Sequence, residues 1–255
     1  MSTRARTHTS LWMDTAPPPD LSPAATGDLS TGTDVDVAVI GGGIAGLTAA
    51  VLLKEAGATV AVLEAERVAS GVSGFTTAKV TAGHTLIYGP LAEIFDADTA
   101  ELYARSQMDA LETVVALASR YAPDAQLERR DHYVYTVDDD ERETIASEVD
   151  TAAGLGLRVT LEDAAPVGFP TSAAARYRDQ LQFHPRRYLL PLARAIPGDG
   201  SHLWEGVRVT QIEEGLPTVI RADGRILRAT DVIVATHHPF VDRGRLSATQ
   251  SVPSA

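Results

Sequence analysis

The sequence predicts an α/β fold, a doubly wound module joined to a smaller mixed-sheet region, on three observations. Two short β-branched runs, 35–40 and 59–63, bracket a stretch of helical periodicity. The glycine cluster Gly41-Gly42-Gly43-Ile44-Ala45-Gly46 follows the first run at once, and an acid, Glu64, closes the second. Beyond residue 200, short strand-like runs recur at close spacing with an Asp223-Gly224 turn between them.

Composition allows such a fold and excludes others. The chain has 255 residues, 44% hydrophobic and 22% charged, with mean hydropathy −0.03, which is ordinary globular usage rather than disordered, collagenous or coiled-coil. At roughly 150 residues per domain this permits one large or two smaller domains. Thirty-four acidic residues against 22 basic give a net charge of −12, so binding of nucleic acid through a basic face is not expected. With no cysteine there is no disulfide, thiolate-held metal, Fe–S cluster or cysteine nucleophile, and no other metal site stands out. The uncharged run 37–53 falls short of the roughly 20 apolar residues of a membrane span and carries the glycine cluster. Residues 1–33 hold Pro17, Pro18 and Pro19 and no long apolar stretch, so they read as a flexible polar arm rather than a secretory signal, and the protein as cytoplasmic. Trp12 is a candidate anchor for that arm.

In chain order, 35–40 reads as a buried strand and 44–56 as a helix with Gly57 at its C-cap. Strand 59–63 follows and ends at Glu64. Residues 98–121 form a long helix in which Tyr103, Gln107, Ala110, Val114, Leu117 and Tyr121 make a buried stripe. Residues 131–137 alternate as a strand, and Asp138 with Glu141 resembles a capping box opening a helix to about 153. Residues 154–184 mix strand and helix signals. His184-Pro185 leads into a helix over 186–195, and strands follow at 201–204, 208–213, 218–221, 226–229 and 231–235.

The strand, glycine turn, helix, strand and acid make a Rossmann-like dinucleotide site, with a purely structural turn as the alternative. Gly41 permits the sharp turn, Gly43 lets backbone approach a pyrophosphate, and Gly46 lets the helix pack on the strand. The helix N-terminus, with Ile44 and Ala45, offers free N–H groups and a positive dipole end. Glu64 is placed to accept hydrogen bonds from ribose hydroxyls, which disfavours a 2′-phosphate.

The run GGGIAGLTAAVLLKEAGATVAVLEAERVASGVSGFTTAK resembles the N-terminus of FAD-dependent oxidoreductases of the D-amino-acid oxidase and glycine oxidase superfamily. Ser10-Leu11-Trp12, Phe75-Thr76-Thr77-Ala78-Lys79, Phe183-His184-Pro185 and Ala235-Thr236-His237 are similar to a branch often fused to a Rieske domain. The resemblance covers nearly all of residues 10–243. It implies FAD as cofactor, a small-molecule substrate, an electron acceptor of unknown identity, and oxidation of an amine or amino-acid C–N bond by hydride transfer to the flavin. It also implies cofactor contacts at Ala65, Arg67, Ser73, Thr76 and Thr77, at the Val209 backbone, and at Ala235 and Thr236. His237 stands where the family at large has glycine. FAD-binding parts are expected at about 34–90 and 185–240, with a substrate region at about 91–184.

Catalytic candidates are few. Lys79 and His84 follow the Thr-Thr segment that the resemblance places along the flavin, and Tyr88 is near them; each also fits a plain structural role. Tyr133 and Tyr135 share one strand face, either a substrate wall or core. Arg186 or Arg187 at a helix start suggests carboxylate binding or an ion pair. Relatives continue past the family-like residues, which end near 243; the tail 244–255 is expected to be disordered. The substrate region is thus expected to be incomplete, and the alternative function is a truncated FAD-binding fragment without catalytic activity.

Overall fold

Every residue from Val37 to Ile40 is buried in strand β1 (Thr33–Ile40), as befits a strand covered on both faces and paired on both edges. The computed structural model describes residues 9–16 and 33–237. Before β1 lies a short helix, α1 (Leu11–Thr15); after it come α2 (Ile44–Glu55), β2 (Val60–Leu63), β3 (Lys79–Val80), α3 (Tyr88–Ile94) and α4 (Ala97–Tyr121). Then follow β4 (Glu128–Thr136), α5 (Arg142–Gly154), β5 (Val159–Glu162), β6 (Ala173–Gln182) and α6 (Pro185–Ala195). The last elements are β7 (His202–Trp204), β8 (Val209–Glu213), β9 (Thr218–Ala222) and β10 (Arg225–Val234).

The chain divides into two compact units, Met1–Thr76 with Pro185–Ala255, and Thr77–His184. The sheet of the first unit runs β7-β2-β1-β10-β9-β8. β1 pairs in parallel with β2 and with β10, and β2 in parallel with β7, while β8, β9 and the start of β10 form an antiparallel meander. Ala38, Ile40, Leu63, Trp204, Ile220 and Leu227 lie in its core. Helix α2 buries Leu47, Ala50 and Val51, and the chain leaves it through Gly57 at φ +94°, the left-handed conformation that glycine supplies at a helix end. Three side-chain bonds join Asp36 on β1 and Thr59 before β2: the Thr59 N–H and hydroxyl donate to Asp36 Oδ2, and the Asp36 N–H donates to Thr59 Oγ1. These bonds hold the Asp36 carboxyl below its usual range.

In the second unit β6 is the central strand. β4 pairs along one edge, and β5 and β3 take successive stretches of the other, all antiparallel. Tyr88, Leu111, Ile145, Val149, Tyr177 and Leu181 form its core. The carboxylate of Glu148 on α5, 3% exposed, accepts from the Tyr88 and Gly89 N–H groups at the start of α3, satisfying donors that a helix leaves unpaired.

Several expectations need correction. Residues 226–229 and 231–235 are one strand, β10, because the same backbone serves β9 on one edge and β1 on the other. Of the expected α4 stripe, Leu117 is buried and Tyr103 and Val114 pack against the core, but Ala110 is exposed; Ala100, Ala104, Leu111 and Ala118 complete the buried line. Tyr135 is 42% exposed, against a core role, and meets Phe169 edge-on at 5.8 Å. Within the arm expected to be flexible, residues 9–16 are packed on the first unit; 1–8, 17–32 and the tail 244–255 lie outside the described residues. The units part at 76/77, ahead of β3, whereas the sequence reading placed that boundary near 90.

Candidate functional site

The carboxyl ends of β1, β2 and β10, at Ile40, Leu63 and Val234, open onto a cleft of about 890 Å³ within the first unit, the place where open α/β sheets hold ligands. The glycine turn forms one wall. Gly41 has φ +113°, and a Cβ there would stand 2.5 Å from the Ala235 carbonyl oxygen at the end of β10, so turn and neighbouring strand both require its missing side chain. Gly46 is the packing glycine: its Cβ would lie 1.9 Å from the Gly41 carbonyl oxygen, and it does not line the cleft. Gly43 differs from both. It lines the cleft, and beyond the Ser73 hydroxyl at 3.2 Å nothing comes within 4 Å of where its Cβ would stand. The fold leaves that space open toward the cleft.

Gly43 is also the N-cap of α2 and makes no side-chain cap. Ser73 supplies one from outside, its Oγ accepting from the Ile44 N–H at 3.0 Å. The remaining first-turn N–H groups have no partner within the helix. At the tip of β2, Glu64 Oε2 accepts from the Gly42 N–H at 2.6 Å and Oε1 from the Glu66 N–H at 2.8 Å. Glu64 therefore tethers the glycine turn to β2, a role sequence reasoning did not assign it, while each oxygen keeps acceptor capacity toward the cleft.

The opposite wall is Val207, Arg208 and Val209, entered from β7. Val207 N–H donates to Glu64 O, and Glu64 N–H to Trp204 O, so this wall is fixed to the same tip of β2. Arg67 pairs with Glu205 at 3.0 Å, and Glu205 also accepts from the Val68 N–H at 2.6 Å. Ala69, buried at φ +53°, donates its N–H to Gly42 O. Glu205, Val207 and Arg208 were not singled out as site residues in the sequence, where nothing local distinguishes them.

Of the expected contacts, Gly41, Gly43, Ile44, Ala45, Glu64, Ala65, Arg67, Ser73, Val209, Ala235 and Thr236 line this one cleft. Thr76 and Thr77 do not. His237 does, at φ +65°, a conformation glycine would adopt without strain. Lys79 and His84 belong to the second unit and are exposed; His84 Nε2 lies 3.1 Å from Gln107 Oε1. Arg186 does not bind a carboxylate. It is fully buried and donates Nε to Ala16 O and Nη1 to Ala69 O, both at 2.6 Å. Burial and the nearby Arg67 charge pull its pKa below the usual arginine value. Among the described residues no group of His, Asp and Glu could hold a metal ion, and no helix is long and apolar enough to cross a membrane.

Sheet, glycine turn, open Gly43 position and terminal acid define a dinucleotide-binding protein of the α/β class, and the cleft fits an FAD molecule's adenosine and pyrophosphate portion. The model of the FAD dependent oxidoreductase family matches residues 36–249, and the chain belongs to that family, whose cofactor is FAD. It is 31% identical over 223 residues to YhfW of Bacillus subtilis (strain 168), provisionally named a Rieske 2Fe-2S iron-sulfur protein, covering 87% of this chain and 44% of that one. It is 29% identical over 207 residues to the gamma-glutamylputrescine oxidoreductase of Escherichia coli (strain K12), covering 78% and 48%. The chain thus spans somewhat under half the length of these curated relatives. Among solved structures, the L-amino acid deaminase of Proteus myxofaciens superposes with TM-score 0.67 at 19% identity, over 87% of this chain and 49% of that one. The glycine oxidase of Geobacillus kaustophilus gives 0.60 at 22%, over 80% and 55%; both likenesses are of fold.

Proposed function

We propose that this chain binds FAD in the cleft of its first unit and serves the oxidation of a small amine or amino acid at a C–N bond. The observation that carries the binding is the pairing of an open Gly43 position at the head of α2 with Glu64 at the tip of β2. The first-turn N–H groups of α2 take the pyrophosphate, with the helix dipole favouring its charge. Glu64 takes the ribose hydroxyls, Val207 to Val209 cover the adenine, and Ala235 and Thr236 bound the far side. The substrate class follows from the relatives: one is a gamma-glutamylputrescine oxidoreductase, and fold neighbours include an amino acid deaminase and a glycine oxidase. Bound FAD supplies a hydride acceptor, and the protein supplies position and charge. A cytoplasmic setting is part of the same proposal.

The test is titration of the purified chain with FAD and with NAD, read by flavin fluorescence and visible absorption, followed by dye reduction or peroxide release with amines and amino acids. Saturable FAD binding without NAD binding is expected. NAD bound and FAD ignored would overturn the proposal.

A further inference from the structure

Resting on the reading that the cleft takes FAD, we propose that residues 10–16 form a latch that positions the nucleotide loop 69–76, so that docking of this segment and FAD binding reinforce each other. The contacts form a continuous path from segment to cleft. Ser10 Oγ donates to Gly74 O at 2.5 Å, and Trp12 Nε1 donates to Thr76 O at 2.7 Å. Ala16 O accepts from Arg186 Nε, and the same guanidinium gives Nη1 to Ala69 O. Ala69 completes the path by donating its N–H to Gly42 O in the glycine turn, at 2.9 Å. A Cβ on Gly74 would meet Ala69 O at 2.7 Å and Met13 Sδ at 3.1 Å, so segment and loop close on a residue with no room for a side chain.

Two features set this apart from a tail resting on a surface. None of residues 9–16 lines the cleft, yet the bonds of Ser10 and Trp12 go to the loop 69–76 that borders it, and that of Ala16 to the arginine holding this loop. The loop's only regular structure is the single turn Val72–Gly74, so the external bonds fix the backbone from which Ser73 caps α2. The segment is also lightly held: α1 has no buried residue and Leu11 is 62% exposed. A weakly docked element tied to a binding loop shares its free energy with the ligand, and the coupling acts equally in both directions.

The absence of cysteine from the chain makes the test direct. Leu11→Cys on the full chain carries a single spin label whose mobility reports docking. FAD is expected to immobilise this label. Trp12→Ala is expected to raise the FAD dissociation constant about tenfold, within the 5–150-fold range of ordinary coupling, and Trp12→Phe, which loses the donor to Thr76 but keeps an aromatic ring, by less. Ser10→Ala, a milder change, provides the same readout should Trp12→Ala fail to fold. Equal FAD affinity in wild type and variants, with label mobility indifferent to FAD, overturns the latch alone. No FAD binding by the wild type overturns the proposed function and the latch with it.

Discussion

Gly43 and Gly46 look alike in the sequence and are opposite in the fold. A side chain at Gly43 meets only the Ser73 hydroxyl, at 3.2 Å, before the cleft, so the unliganded Gly43→Val protein should lose little stability while FAD binding is lost. Gly46→Ala drives a Cβ into backbone and should cost at least the roughly 1–3 kcal/mol typical of overpacking, whether or not FAD is present. Thermal melts of both variants with and without FAD separate the roles, and a destabilised unliganded Gly43→Val would mean its space is needed by the fold. Glu64→Gln is a better probe of the ribose contact than Ala, because its one amide oxygen still accepts from either the Gly42 or the Glu66 N–H, whereas alanine would release both. A loss of about 1–3 kcal/mol of FAD affinity is expected for an incompletely matched group in a site, measured by fluorescence titration. These residues were legible in sequence because the motif is local. Glu205 was not, since its partner Arg67 lies across a whole unit's worth of chain.

At the level of elements, one lysine caps a helix it does not belong to. Lys54 Nζ, at the end of α2, bonds the carbonyls of Ala195, Ile196, Pro197 and Gly198 where α6 ends, placing positive charge at a negative dipole end. Lys54→Met keeps the aliphatic stem and should cost about 1–2 kcal/mol by urea denaturation; an unchanged midpoint would show the carbonyls are equally content with water. On β4, His132 stacks on Tyr177 at 6.2 Å, and burial, then the Lys79 charge, lowers its pKa below 6.5. The unfolded chain therefore binds more protons between the folded value and about 6.5. Stability should be complete above that window and decline as pH falls through it, and His132→Gln should flatten that decline in denaturation midpoints compared between about pH 7.5 and 5.5. A slope unchanged by the substitution would assign it to other groups.

The elements nearest the glycine turn were legible because periodicity, turn and cap agree there. β6 was not: Ala-Ala-Ala-Arg-Tyr-Arg-Asp-Gln-Leu-Gln has the composition of a helix, and only the pairing it makes on both edges holds it extended. The break expected inside β10 failed for the same reason, since ladder partners outweigh the weak strand preference of Thr230-Asp231.

For the whole molecule, charge is the widest-reaching property. At −12 the chain repels a pyrophosphate at long range, and close in the head of α2, with Arg67 and Arg208 at the cleft, attracts it. Added salt screens the long-range part first, so FAD association, followed by stopped-flow fluorescence, should quicken between low and physiological ionic strength. Slower association would mean that Arg67 and Arg208 at the cleft dominate the approach. The pairing of the first unit's two chain segments was legible only through the family resemblance, because nothing in 208–235 taken alone says which strand it will lie beside.

That discontinuity has a consequence for how the protein is made. A ribosome releases β1 and β2 early, but the parallel partner that covers the other edge of β1 is β10, written after the whole second unit has emerged. The second unit is contiguous and is free to fold while translation proceeds; the first must wait with an apolar, unpaired strand edge, the kind of surface that recruits wrong partners or chaperones. The cleft is finished after the second unit, when residues 207–209 and 235–237 arrive. The nucleotide site is thus a checkpoint on synthesis through β10: a nascent chain halted before β10 displays the whole glycine motif and still has no cleft to offer.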